Sequence, residues 1–283
     1  FEMSSARGLS SASATAARAV PAGNPYGPVI DSVKVFGAIN LLGLGISLAT
    51  GSHAHLDLLG TGAFAAAALL TRGPDLRSRV SAGIVALWSV RLAAFLFFRA
   101  LKLGHDARLD EVLSTASGAV GFWLISFVWG VVTALPHTLG AGAENGRRPP
   151  LGLAAGAGLL LFALGMYWEV GADLQKWFFK QDPLNRGRPC TTGLWSYSQH
   201  PNYFGNLCIW CGIFVLNFAP LAAAGKVPLL LGALSPLFLA GLFYGQASGA
   251  ITNSVELATQ KYAGDSAYDQ YVKKVPLIFP RPF

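Results

Sequence analysis

Long apolar runs recur along this chain, each close to the length that crosses a bilayer. A spanning helix needs about 20 mostly apolar residues. Runs near 33–50, 56–71, 80–101, 117–139, 151–171, 203–223 and 227–250 approach or reach it. Backbone groups in lipid must be satisfied within their own segment, so runs of this kind fold as helices. The expected fold is all-α: a polytopic transmembrane bundle of about seven spans, six to eight allowing for the short second run, with a C-terminal amphipathic segment.

Composition agrees. Hydrophobic residues make up 53% and charged residues only 12%, with mean hydropathy +0.46. Soluble domains carry about 25% charge, so roughly half of the usual polar coat is missing and the surface must face lipid. The net charge of +7 is spread through short loops. That distribution suits basic membrane flanks and gives no nucleic-acid surface. Cys190, Cys208 and Cys211 provide no disulfide framework. Cys208 and Cys211 fall inside an apolar run and read as small packing residues, with no metal implied.

Residues 1–28 form an N-terminal arm ahead of a membrane domain over 29–283. Residues 1–24 are rich in Ala and Ser and carry Arg7 and Arg18 against Glu2. The pattern resembles the end of a transit peptide or the start of an imported protein, although a plain polar arm is compatible. The expected location is an organellar membrane, the mitochondrial inner membrane or a chloroplast membrane. Loops fall at Arg72–Arg79 and Gly140–Pro150, where Gly, Pro and Arg cluster. Gly152 and Gly156, and Gly241, Gly245 and Gly249, recur every four residues and are expected to let helices pack closely.

Seven spans put the loops after the third and fifth runs on the side of the C-terminal tail. That side then carries Arg99, Lys102, Arg108, Lys176, Lys180, Arg186, Arg188, Lys261, Lys273, Lys274 and Arg281. Ionisable groups within spans are costly and mark candidate sites. Arg91 lies mid-run, and Glu169 and Asp173 are four residues apart on one helical face. An ion pair between Arg91 and one of these acids is the plain expectation, and a cofactor contact the sharper one.

The stretch from Glu169 to Asn206 is the richest in chemistry. Lys176, Lys180, Arg186 and Arg188 alternate with Gly, Asn and Thr, which suits an anionic group such as a phosphate. His200-Pro201 opens the sixth span at a helix N-terminus, where free amides favour an anion. A solvated basic loop beside lipid headgroups would read the same way. Glu256, Lys261, Tyr262, Asp265, Tyr268, Asp269 and Tyr271 follow. They form either a surface helix along the membrane or a lid over a pocket. No Rossmann or P-loop glycine pattern occurs.

The run G-L-W-S-Y-S-Q-H-P-N-Y-F-G over 193–205 resembles the signature of the DUF1295 family, grouped with the steroid 5-alpha-reductase C-terminal domain, sterol reductases and isoprenylcysteine carboxyl methyltransferases. Further blocks keep order and spacing: Trp88 to Leu92, Asp106-Ala-Arg108, Glu169 to Lys176, Phe179-Lys180 through Pro183, Asn185 and Gly187, Ser248-Gly249, Glu256, Lys261 to Gly264 and Tyr268 to Tyr271. The resemblance spans about residues 55–280. It implies a helical bundle whose last spans and loops hold a cofactor, NADPH in reductase relatives and S-adenosylmethionine in the methyltransferase branch. On this resemblance, Lys176, Lys180, Asn185, Arg188, His200, Asn202 and Tyr268 would line the cofactor site, with Tyr203 and Glu256 as catalytic candidates. The implied reaction is NADPH-dependent reduction of a double bond in a lipophilic, sterol- or polyprenoid-like substrate.

Two positions depart from the family pattern S-R-H-P-N-Y-F-G-E. Gln199 stands for Arg and Asn206 for Glu. Gln lacks the charge and donor fork of a guanidinium, so a phosphate contact there is expected to be weaker. The alternative reading is therefore an accessory or structural subunit of an organellar membrane complex that keeps the fold without turnover. A SAM-dependent methyltransferase is the third reading.

Overall fold

The computed structural model describes residues 26–104, 110–143 and 149–281. The expected arm up to residue 25, the Asp106-Ala-Arg108 block, and Arg147 and Arg148 lie outside these residues. The described chain is helical, without strands. In order come α1 (Gly27–Thr50), α2 (Leu56–Leu70), α3 (Leu76–Leu103), the short α4 (Asp110–Leu113), α5 (Ala116–Gly142), α6 (Leu153–Gln181), α7 (Pro201–Ala224), α8 (Lys226–Ala247), α9 (Ser254–Lys261) and α10 (Ser266–Lys274). Helices α1, α3, α5, α6, α7 and α8 are long and apolar enough to cross a membrane. The first span starts earlier than expected, taking the last residues of the arm into α1. Helix α2 has 15 residues, about 22 Å at 1.5 Å per residue and short of a hydrocarbon core.

Short α2 survives because its buried side is small. Gly60, Thr61, Ala63, Ala67 and Ala68 are buried among its neighbours, with Leu56 buried at its first residue. Phe64 is the large buried side chain at mid-helix and the hub of the core. Its ring meets Phe36 of α1 at 4.9 Å, Trp88 of α3 at 5.2 Å, Trp129 of α5 at 4.8 Å and Trp210 of α7 at 5.4 Å. One aromatic side chain thus ties four neighbouring helices together.

Helix ends follow local chemistry. Asp75 caps α3 by accepting from Ser78 N at 3.1 Å, and Thr115 caps α5 by accepting from Gly118 N at 3.1 Å. Pro136, inside α5, removes a hydrogen bond to the preceding turn. Nearby, Ser235 of α8 donates to the Thr133 carbonyl at 2.8 Å. That bond ties α8 to α5 one turn before the proline.

Helices α6 and α7 touch through glycine. A methyl group on Gly158 would lie 2.5 Å from Leu216 N, and one on Gly212 would lie 2.7 Å from the Gly158 carbonyl. One on Gly165 would lie 2.6 Å from the Gly205 carbonyl. Seven residues separate the glycines on each helix, so the two pairs stack antiparallel and bring backbone against backbone. This corrects the sequence expectation. Nothing lies within 4 Å of the positions a methyl group would take on Gly152, Gly156 or Gly241, while Gly245 and Gly249 meet only the nearby side chains of Ile251 and Val255.

These contacts set the sidedness. The ends of α1, α3 and α6 and the starts of α2, α5 and α7 share one face with the C-terminal tail. The basic loop after α6 lies there, as expected.

Candidate functional site

The loop between α6 and α7 is docked onto the last turns of α6. Gly193 takes a positive φ of 61°, which turns the chain so that Leu194 N donates to Gln175 Oε1 at 2.8 Å. Trp195 Nε1 donates to the Ala172 carbonyl at 3.0 Å, and Lys176 Nζ sits 4.1 Å from the Trp195 ring centre. Cys190 is buried in this junction, which pushes its thiol above the ordinary range and argues against a nucleophile.

The same loop is strapped by the C-terminal tail. Gln199 Nε2 donates to the Val275 carbonyl at 2.7 Å and to the Val272 carbonyl at 3.0 Å, while its backbone N–H donates to Pro276 O at 2.9 Å. Ser198 Oγ donates to Ile278 O at 2.7 Å, and Tyr271 OH donates to Trp195 O at 2.8 Å. Burial pushes the Tyr271 phenol upward, so it remains a donor. The Gln199 side chain therefore closes the end of α10.

Several expected site residues are gathered at the mouth. Lys180 Nζ donates to Tyr262 OH at 3.0 Å and to the Arg188 carbonyl at 3.3 Å. Tyr262 lies 4.8 Å, ring to ring, from Tyr268. His200 precedes α7, its ring stacked on Tyr203 at 4.9 Å, and Tyr203 stacks in turn on Phe243 of α8 at 4.6 Å. Burial first, and then the Lys176 ammonium, hold the His200 imidazole down at about 4. It is neutral near pH 7, with one donor and one acceptor nitrogen.

Others lie apart. Asn185 Nδ2 donates to Asp182 Oδ2 at 3.2 Å within the loop. Glu256 is on the exposed side of α9, accepting from Gln260 Nε2 at 3.2 Å, so the two catalytic candidates occupy separate elements. Asn202, by contrast, stands in the first turn of α7 beside His200 and Tyr203, its Oδ1 buried with no hydrogen-bond partner. An acceptor left in that state costs free energy unless a further group donates to it.

Below the mouth lies a buried polar centre. Arg91 Nη1 meets Glu169 Oε1 at 3.2 Å and Nη2 meets Asp173 Oδ2 at 2.8 Å. Arg91 thus pairs with both acids where one was expected. Trp88 Nε1 donates to both Glu169 oxygens at 3.2 Å, and Asn206 Nδ2 donates to Oε2 at 3.1 Å. Glu169 is 3% exposed and receives donors from α3 and α7. Sequence reasoning gave Trp88 no role beyond its motif block, although its spacing of three from Arg91 places both on one face. Cys208 and Cys211 are free, and no group of metal-ligating side chains occurs among the described residues.

The chain matches the sequence profile of the family described as "Protein of unknown function (DUF1295)" over residues 44–275, most of its length. It is a membrane protein of the DUF1295 family. A 63-residue segment is 38% identical to the probable O-methyltransferase ustE of Ustilaginoidea virens, covering 22% of this chain and 21% of that relative. The matched segment spans about a fifth of the curated relative. No solved structure matches the chain.

Proposed function

We propose that the protein is a membrane-embedded reductase that uses NADPH on a double bond of a lipophilic substrate. The carrying observation is the gathering of Lys176, Lys180 and the loop backbone at Arg188 with Tyr262 and Tyr268 at one mouth, beside a neutral imidazole. A dinucleotide phosphate carries several negative charges, and cations on an aromatic rim suit it. S-adenosylmethionine has no phosphate and a cationic sulfonium, which the same lysines would repel.

The residues present fit NADPH in a second respect. Asn202 Oδ1 is a buried acceptor without a partner, and an N–H or O–H of the cofactor would satisfy it. Lys176, Lys180 and Arg188 would hold phosphate, and His200 would hydrogen-bond a polar edge of the cofactor. Tyr203, held between His200 and Phe243, would orient the reacting groups or supply a proton from its hydroxyl. The cofactor's chemistry when bound is hydride donation.

A methyltransferase is the second reading, favoured by the segment shared with the probable O-methyltransferase. Titration of the purified, detergent-solubilised protein with NADPH and with S-adenosylmethionine separates the two. Saturable NADPH binding that weakens in Lys180→Gln supports the reductase. Saturable S-adenosylmethionine binding with none for NADPH replaces it with the second reading. Binding of neither favours the accessory-subunit alternative.

A further inference from the structure

A cleft opens on the same membrane face, away from the α6–α7 loop. It lies among the end of α1, the start of α2, the end of α3 and the start of α5, with a volume near 670 Å³. That is within the range of small-molecule sites. Its walls are mixed. Leu48, Leu56, Leu103 and Leu113 are apolar, whereas His53 and Arg99 are polar.

Hydrogen bonding at the floor orients His53. Trp123 Nε1 donates to Ser47 Oγ at 3.1 Å. His55 Nε2 is 2.9 Å from the Gly43 carbonyl, an acceptor only, so His55 carries its proton there. Ser47 Oγ also lies 3.2 Å from His53 Nδ1 and 3.4 Å from His55 Nε2. His53 is thus engaged with Ser47 through Nδ1, and Nε2 is the ring nitrogen not engaged with Ser47. The cleft therefore presents a guanidinium and an imidazole edge above leucine walls. Asp57, the acid on the wall, sits in the first turn of α2, where the positive helix end stabilises it.

We propose that this cleft binds one membrane amphiphile with an anionic head and an aliphatic chain, Arg99 serving as its counter-ion. The head is a carboxylate or a phosphate, from a free fatty acid or an acidic phospholipid. Basic pockets between spans take such headgroups, because cation and hydrocarbon lie side by side at the right depth. A freely water-soluble anion would leave the leucine walls unused. A zwitterionic lipid would set a second cation against Arg99.

The test is photolabelling of the full chain in detergent with a diazirine-bearing long-chain carboxylate, followed by peptide mapping. Label is expected in peptides covering 47–57, 99–104 and 113–119, with competition by oleate. Arg99→Gln removes one charge-assisted contact and should weaken labelling about tenfold. Competition by phosphatidylglycerol as well as oleate assigns an acidic phospholipid as an occupant, and competition by oleate alone assigns the free acid. Equal competition by phosphatidylcholine overturns the proposal, as does label spread over the lipid-facing side of α8 and unchanged by Arg99→Gln. Arg99 also acts electrostatically on Asp173, so a second variant, Ala54→Trp, fills the cleft without changing charge. Labelling that persists in Ala54→Trp overturns the site. None of these outcomes depends on NADPH binding.

Discussion

Asn206 donates its side-chain N–H to Glu169 Oε2 across 3.1 Å inside the bundle. The departure from the family's Glu at this position therefore supplies a donor to a buried carboxylate. A second carboxylate there would face Glu169 with no hydrogen to offer. Removing a partner from a buried ion group costs about 3–5 kcal/mol, because the remaining charge is left uncompensated. Arg91→Leu is expected to destabilise by that amount in detergent unfolding, and Arg91→Leu combined with Glu169→Gln and Asp173→Asn should recover most of it. An unaltered midpoint in Arg91→Leu alone would show that the ion cluster is not stabilising.

Packing of α6 on α7 predicts a positional contrast. Gly158→Ala, Gly165→Ala and Gly212→Ala each force backbone apart and should cost about 1–3 kcal/mol. Gly152→Ala and Gly241→Ala meet open space and should stay within about 0.5 kcal/mol. Thermal midpoints of the five variants check the ordering.

The tail strap predicts where Gln199 acts. In Gln199→Ala, hydrogen exchange should rise in residues 271–278 and 196–200 and stay unchanged in α1 to α5. Gln199→Arg should restore protection, since a guanidinium offers donors to the same two carbonyls. Exchange that rises equally across the chain would contradict a local latch.

His200 predicts an acid limb. Its imidazole is held near 4 against an ordinary 6.5, so the unfolded chain takes up a proton before the folded one does. The favourable contribution is complete above pH 6.5 and is lost as pH falls through 4. Thermal midpoints should be level in this respect from pH 7 to 8 and fall between 6.5 and 4, with a shallower fall in His200→Asn.

Much of this architecture was legible in the residues. Apolar runs of spanning length announced the bundle, and an unaccompanied Arg91 announced a partner on Glu169 or Asp173. The α6–α7 contact was not legible from glycine spacing, because several helices carry spaced glycines and only packing selects which pair meets. The tail contacts of Gln199 were hidden for a related reason. They depend on the Val272 and Val275 carbonyls, more than seventy residues away, and long-range backbone acceptors leave no local pattern. The Trp195–Lys176 stack and the Tyr271 bond are hidden likewise, although Trp195 is set within a conspicuous motif.

The most direct test of the cofactor account is an electron cryomicroscopy structure of the protein in lipid nanodiscs saturated with NADPH. Density for a dinucleotide is expected at the mouth, with phosphate oxygens within hydrogen-bond distance of Lys180 or Arg188 and a donor meeting Asn202 Oδ1. A mouth that stays closed by its own side chains at saturating NADPH, with Asn202 Oδ1 satisfied by protein or water, would contradict it.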